Sequence, residues 1–138
     1  MSTKKIVTIV SVVVAGVLVL CCGGGFLFVK QISGAVQPAQ DAANTFIGDL
    51  EHGDYDAAHQ LLCAEAREKF TVEDLRRGTQ AHGTITSHKI TNTNVSNYNG
   101  RVRAVVVARL SYDNGFTDTH AMPLTKQGDT WQVCGEPY

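Results

Sequence analysis

Net charge is almost absent from this chain of 138 residues, at −1. A nucleic-acid-binding domain carries a concentrated basic excess, so that class is excluded. A phosphate-cradling glycine loop is missing too, because the run Gly23-Gly24-Gly25 lies inside an apolar stretch. His52, His59, His82, His88 and His120 lack zinc-ligand spacing, with a His88–His120 meeting across strands the one arrangement left open. No metal and no cofactor are expected.

Charge is also missing between Ile6 and Val29, where the only hydroxyls are Thr8 and Ser11. A helix over this run would be about 36 Å long, against a hydrocarbon core of about 30 Å. Residues 6–29 are therefore expected to span a bilayer, which makes lipid the first partner. Lys4 and Lys5 precede the run and Lys30 alone follows it. The positive-inside rule then leaves residues 1–5 in the cytoplasm and everything after Lys30 outside, a single-pass plasma-membrane arrangement. The run outlasts the apolar core of a signal peptide, about 7–15 residues, although cleavage at Ser33-Gly34-Ala35 is an alternative. Leu18-Val19-Leu20-Cys21 lacks the small residue a lipoprotein needs before its cysteine.

The small net charge is thus a cancellation. Residues 1–37 hold three lysines and no acid; residues 38–138 hold the other nine of the 12 bases and all 13 acids. The second part reads as a short tether, residues 30–38, followed by an extracytoplasmic domain over 39–138.

Ala39, Ala42, Ala43, Phe46, Ile47 and Leu50 recur at helical spacing behind Pro38, and Gly53 suits a left-handed stop. Asp54 can cap a second helix through Tyr55, Ala58, His59 and Leu62. Thr71 and Asp74 resemble a capping box, with Phe70 and Leu75 as a hydrophobic staple, for a third helix closed by Gly78 or Gly83. After Gly83 the apolar period changes to two. Its parity slips between Ile85 and Ile90, which predicts a bulge. Asn99-Gly100 predicts a tight hairpin into a strand from Arg101 to Tyr112. Asp113-Asn114-Gly115 and Gln127-Gly128-Asp129 turn the chain into two more strands, with Pro123 at an edge or bulge. Three helices packed on a curved four-stranded antiparallel sheet give an α+β domain.

Cys63 and Cys134 are the only cysteines beyond the apolar run. Outside the cytoplasm such a pair is expected to be a disulfide. It would close about 72 residues, worth no more than about 4 kcal/mol in the chain-entropy model. A nucleophilic or metal-binding Cys63 beside His59 is the weaker alternative.

The segment Leu50-Glu51-His52-Gly53-Asp54-Tyr55-Asp56-Ala57-Ala58 joins the first two helices, and Trp131-Gln132-Val133-Cys134-Gly135 ends the domain. With the element order, these resemble the nuclear transport factor two-like superfamily, a cone-shaped α+β fold that includes ketosteroid isomerases. More narrowly, the whole chain is similar to small actinobacterial membrane proteins with one span and such a domain outside. The resemblance implies that a cavity can open between helices and sheet. Ala104 and Ala108 on the inward face of their strand leave room for it, or for a closely packed helix. With Tyr55 and Tyr112 they would line a pocket for an apolar small molecule.

Isomerases of that superfamily use a carboxylate base and an oxyanion hole. Asp118 and His120 share a strand face with Phe116 and Met122, so an isomerase- or hydrolase-like acid–base pair there is the enzymatic alternative. The weightier reading is a surface carboxylate beside a half-buried histidine. Arg101, Arg103 and Arg109 alternate with Val105 and Val107 on the opposite face of the preceding strand. They suit docking to an anionic partner, a lipid headgroup or cell-wall polymer, against the plainer reading of a solvated sheet face. The leading expectation is a membrane-anchored extracytoplasmic module that binds an envelope protein or other partner without catalysis.

Overall fold

A computed structural model describes residues 36–136 of the chain. The expected N-terminal segment 1–5 and span 6–29 lie outside the described residues. Among the described residues, no helix is long and apolar enough to cross a membrane.

Helix α1 occupies 36–52, so residues 36–38, expected as tether, are already helical. Its buried stripe of Ala39, Ala43, Phe46, Ile47 and Leu50 follows the three- and four-residue spacing of its apolar residues. Gly53, at φ 74°, ends it, and the Gly53 N–H donates to the Leu50 carbonyl at 3.2 Å. Asp54 then caps α2, Tyr55–Gln60, by accepting from the Ala57 N–H. A further helix, α3, runs Ala64–Lys69, which makes four helices rather than the expected three. Six residues bearing only Ala66 as a buried contact are too short to show an apolar period, so α3 has no sequence signature. The capping box at α4, Val72–Gln80, forms as expected: Thr71 and Asp74 exchange backbone and side-chain hydrogen bonds. Gly78 lies within α4, and Gly83, at φ 111°, follows after the Ala81 cap.

The strands β1 (Ile85–Tyr98), β2 (Arg101–Tyr112), β3 (Thr117–Gln127) and β4 (Thr130–Val133) form an antiparallel meander in that order. Register shifts fall at Ile85/Ser87 and Ile90/Asn92, where the apolar parity slips. Asn99 and Gly100 both take positive φ, 52° and 78°, as a two-residue hairpin turn needs. Pro123 turns its carbonyl to the Cys134 N–H just beyond the last β3–β4 pair, Leu124–Val133, so its missing N–H interrupts no ladder bond.

The inner sheet face contributes Val106, Ala108, Met122, Leu124, Trp131 and Val133 to a core shared with α1 and Leu62. Leu62 pairs with Val133 in a parallel bridge. The Val133 N–H donates to the Leu61 carbonyl, and the Cys63 N–H to the Val133 carbonyl. That bridge brings Cys63 against Cys134, and they form a disulfide with Cα atoms 5.2 Å apart. Gly135 must be glycine for a related reason: a Cβ there would lie 2.3 Å from Pro123 Cγ.

Candidate functional site

Alternation along each strand sorts the sheet into two chemically different faces. Pairing places Tyr98 opposite Arg101, Ser96 opposite Arg103, Asn94 opposite Val105 and Lys89 opposite Arg109. On the other side of β2, Arg103 faces Thr125, Val105 faces Pro123, and Arg109 faces Thr119. This outer face therefore holds four cations and no acid. Arg101, Arg103 and Arg109 are exposed, and so is Val105 between them, at 43 %. Ion pairs of the described residues fall on α4 and at His88. Among the described residues the four outer cations have no acidic partner, and the three arginines expected to act together share one strand face.

One end of that face is shaped. Arg101, Arg103, Gly100, Thr125 and Lys126 border a depression of about 480 Å³ beside the Cys63–Cys134 bridge. Among the described residues Glu65 is the one acid on its wall. Tyr98, next to the hairpin turn, is 79 % exposed. Sequence reading missed Tyr98 and Lys126 as members of this end. Tyr98 carried the signal, an aromatic residue beside an Asn-Gly turn, whereas Lys126 lies on β3 and only pairing brings it near.

The residues expected to line a pocket lie in different surroundings among the described residues. Ala104 and Ala108 are 2 % and 0 % exposed and belong to the core, so their small side chains make room for close packing. Tyr112 is buried, with its ring 5.7 Å from Phe116 and 6.1 Å from His82. Burial, and then the negative charge of Asp118, push its phenol above the ordinary value of 10.0. Tyr55 instead lines a separate cleft of about 280 Å³ with Glu51, His52, Thr79 and Gln80. The Thr79 hydroxyl is buried without a hydrogen-bond partner among the described residues.

Asp118 and His120 do share the inner face, in line with Met122 and Leu124. Each turns elsewhere for its hydrogen bond. Asp118 Oδ1 accepts from the Thr119 N–H at 2.8 Å, and His120 Nε2 lies 3.5 Å from the Glu136 carbonyl oxygen. His120 and His88 do not meet, because β2 separates their strands. His88 is engaged by α1: its Nδ1 lies 2.6 Å from Glu51 Oε1 and its Nε2 lies 3.1 Å from Asn44 Oδ1. His59, the suggested partner of a reactive Cys63, bonds through Nε2 to the Phe70 carbonyl at 2.8 Å, and Cys63 is oxidised.

A family model described as Domain of unknown function (DUF4878) matches residues 31–134. No curated protein matches the sequence. Among solved structures, an NTF2-like transpeptidase from Campylobacter jejuni is similar at 15 % identity and a TM-score of 0.52, covering 70 % of this chain and 97 % of that one. A SEC-C motif containing protein from Rhodopseudomonas palustris is similar at 15 % identity and a TM-score of 0.49, covering 64 % of this chain and 69 % of that one. The first likeness is one of fold: the described residues are similar in fold to that NTF2-like protein.

Proposed function

The chain belongs to the DUF4878 family of domains of unknown function, and from that premise we propose a membrane-anchored binding module that works without catalysis. In this reading residues 6–29 span the plasma membrane, as in small single-span actinobacterial proteins, and the NTF2-like domain stands outside. Its working surface is the outer sheet face, where Arg101, Arg103 and Arg109 dock an anionic partner of the cell envelope.

The acid-free composition of that face carries the reading. Residues 38–138 hold thirteen acids against nine bases, yet the outer strand positions hold only Lys89, Arg101, Arg103 and Arg109 as charges. Segregation of this kind concentrates a positive potential on one side of an otherwise acidic domain. The burial of Ala104 and Ala108 within the core supports a module over a pocket enzyme.

Retention of the full-length chain on immobilised inorganic polyphosphate tests the reading. Binding at low salt, released steeply as salt rises, is expected. Joint replacement Arg101→Glu, Arg103→Glu and Arg109→Glu should abolish it. No retention of the wild-type chain, or retention indifferent to the triple charge reversal, would overturn the docking role.

A further inference from the structure

Helix α1 and strand β1 run in opposite directions across one another. Gln40 donates to the Thr93 hydroxyl at 3.0 Å, while Asn44 and Glu51, further along α1, both reach back to His88. The start of α1 and the β1–β2 turn therefore lie at the same end of the domain. From Gln40 back to residue 36 the helix rises about 6 Å, whereas from Thr93 to Tyr98 the strand advances about 16 Å. The hairpin tip thus lies at the same end of the domain as residue 36, the side from which the chain arrives.

What the tip carries has the chemistry of a bilayer interface. Tyr98 is the most exposed of the large apolar side chains, at 79 %. An aromatic ring with a hydroxyl suits the headgroup level of a membrane. Behind it stand Arg101, Arg103 and Lys126 around the depression described above, with Glu65 the one opposing charge on its wall. Asp129 lies in the adjacent β3–β4 turn. The cations have no acidic partner among the described residues, and an arginine fork fits a phosphate bidentately.

We propose that this end of the domain docks on the anionic bilayer to which the chain is tethered. Tyr98 enters the headgroup layer, and Arg101, Arg103 and Lys126 bind lipid phosphates. The inference rests on the membrane anchor and docking face proposed above, and it names the partner for one end of that face. Only residues 30–35 separate the expected span from helical residue 36, a reach of at most about 20 Å. That reach holds the domain where the tip can touch lipid, and it leaves Lys89 and Arg109, at the far end of the strands, free for another partner.

The test uses the full-length chain reconstituted in nanodiscs of phosphatidylcholine alone, or mixed with phosphatidylglycerol, each containing brominated lipid. A Tyr98→Trp variant places a reporter at the tip, and its signal is read above that of the buried Trp131. Emission of the introduced indole should fall by about half in the anionic discs and little in the neutral ones. High salt, or Arg101→Glu with Arg103→Glu, should restore it. Equal quenching in both discs, or none in the anionic ones, overturns the bilayer proposal. If the wild-type chain nevertheless binds inorganic polyphosphate through Arg101, Arg103 and Arg109, the docking reading stands and the partner is a soluble polyanion. If neither lipid nor polyphosphate binds, both fail.

Discussion

His88 on β1 and Glu51 on α1 are 37 residues apart in sequence, yet Nδ1 and Oε1 lie 2.6 Å apart in the fold. Both side chains are mostly buried, at 17 % and 18 % exposure, and Asn44 takes the other ring nitrogen. This polar clamp sits beside the apolar contact between α1 and the sheet and sets where along β1 the helix lies. Removing the ring in His88→Ala strands the mostly buried Glu51 carboxylate, which costs about 1–3 kcal/mol. Chemical denaturation of the variant checks this. A midpoint equal to wild type would mean that water replaces the ring without loss.

The Cys63–Cys134 bridge spans a sequence separation of 71. Closing a loop of that size is worth about 4 kcal/mol at most, a large share of the stability of a domain of this length. Joint replacement by serine should therefore lower the denaturation midpoint strongly, and reduction of the wild type should have the same effect. Gel mobility should differ between reduced and unreduced wild type and be identical for the double variant.

Thr71 and Asp74 make α4 sensitive to acid. Hydrogen bonds from the Thr71 backbone N–H, and then its hydroxyl, hold the Asp74 carboxyl below its ordinary value of 3.8. A lowered carboxyl contributes stability that is complete above the ordinary value and is lost as pH falls through the folded one. Asp49 works in the opposite sense, raised by burial and then by the charge of Asp54. Asp74→Asn should flatten the acid limb of a stability–pH curve, and Thr71→Ala should cost about 1 kcal/mol at neutral pH. An unchanged acid limb in Asp74→Asn would remove the cap from the account.

Ala108 distinguishes a packed cone from an open one. It faces His120 across the β2–β3 ladder and is fully buried. Ala108→Leu adds volume at a fully buried position and should cost about 1–3 kcal/mol through overpacking. A variant as stable as the wild type, or more so, would reveal space for a ligand beneath the sheet.

Tyr112 gives an alkaline signature. Its phenol is raised by burial first and by Asp118 second, so the unfolded chain releases this proton at lower pH than the folded one. Stability then falls as pH climbs from about 10 towards the folded value. Absorbance titration should show a late-ionising tyrosine whose midpoint drops in Asp118→Asn. A midpoint indifferent to that replacement would place the cause in burial alone.

Most of the architecture was legible because its signals are local. The Thr71–Asp74 box, the Gly53 stop with the Asp54 cap, the Asn99-Gly100 turn and the parity slip after Ile85 each depend on a few neighbouring residues. Alternation along β2 likewise separated the arginines from the inward alanines. Helix α3 escaped because six residues cannot display an apolar period.

Cys63 and Cys134 were paired from composition and compartment, but the parallel bridge between Leu62 and Val133 is what brings them together. Pairwise geometry across long sequence separations has no local signature, so His88 with Glu51, and Lys126 with Arg101, emerge only when the strands register. The two alanines on β2 show the same division. Their small volume follows from residue type, whereas whether that volume becomes a cavity or a packed contact is decided by the helix laid across it. Near neutrality was the first property of this chain, and it follows from counting residues alone. The concentration of unpaired cations on one sheet face, with Tyr98 at its tip, is the work of strand pairing.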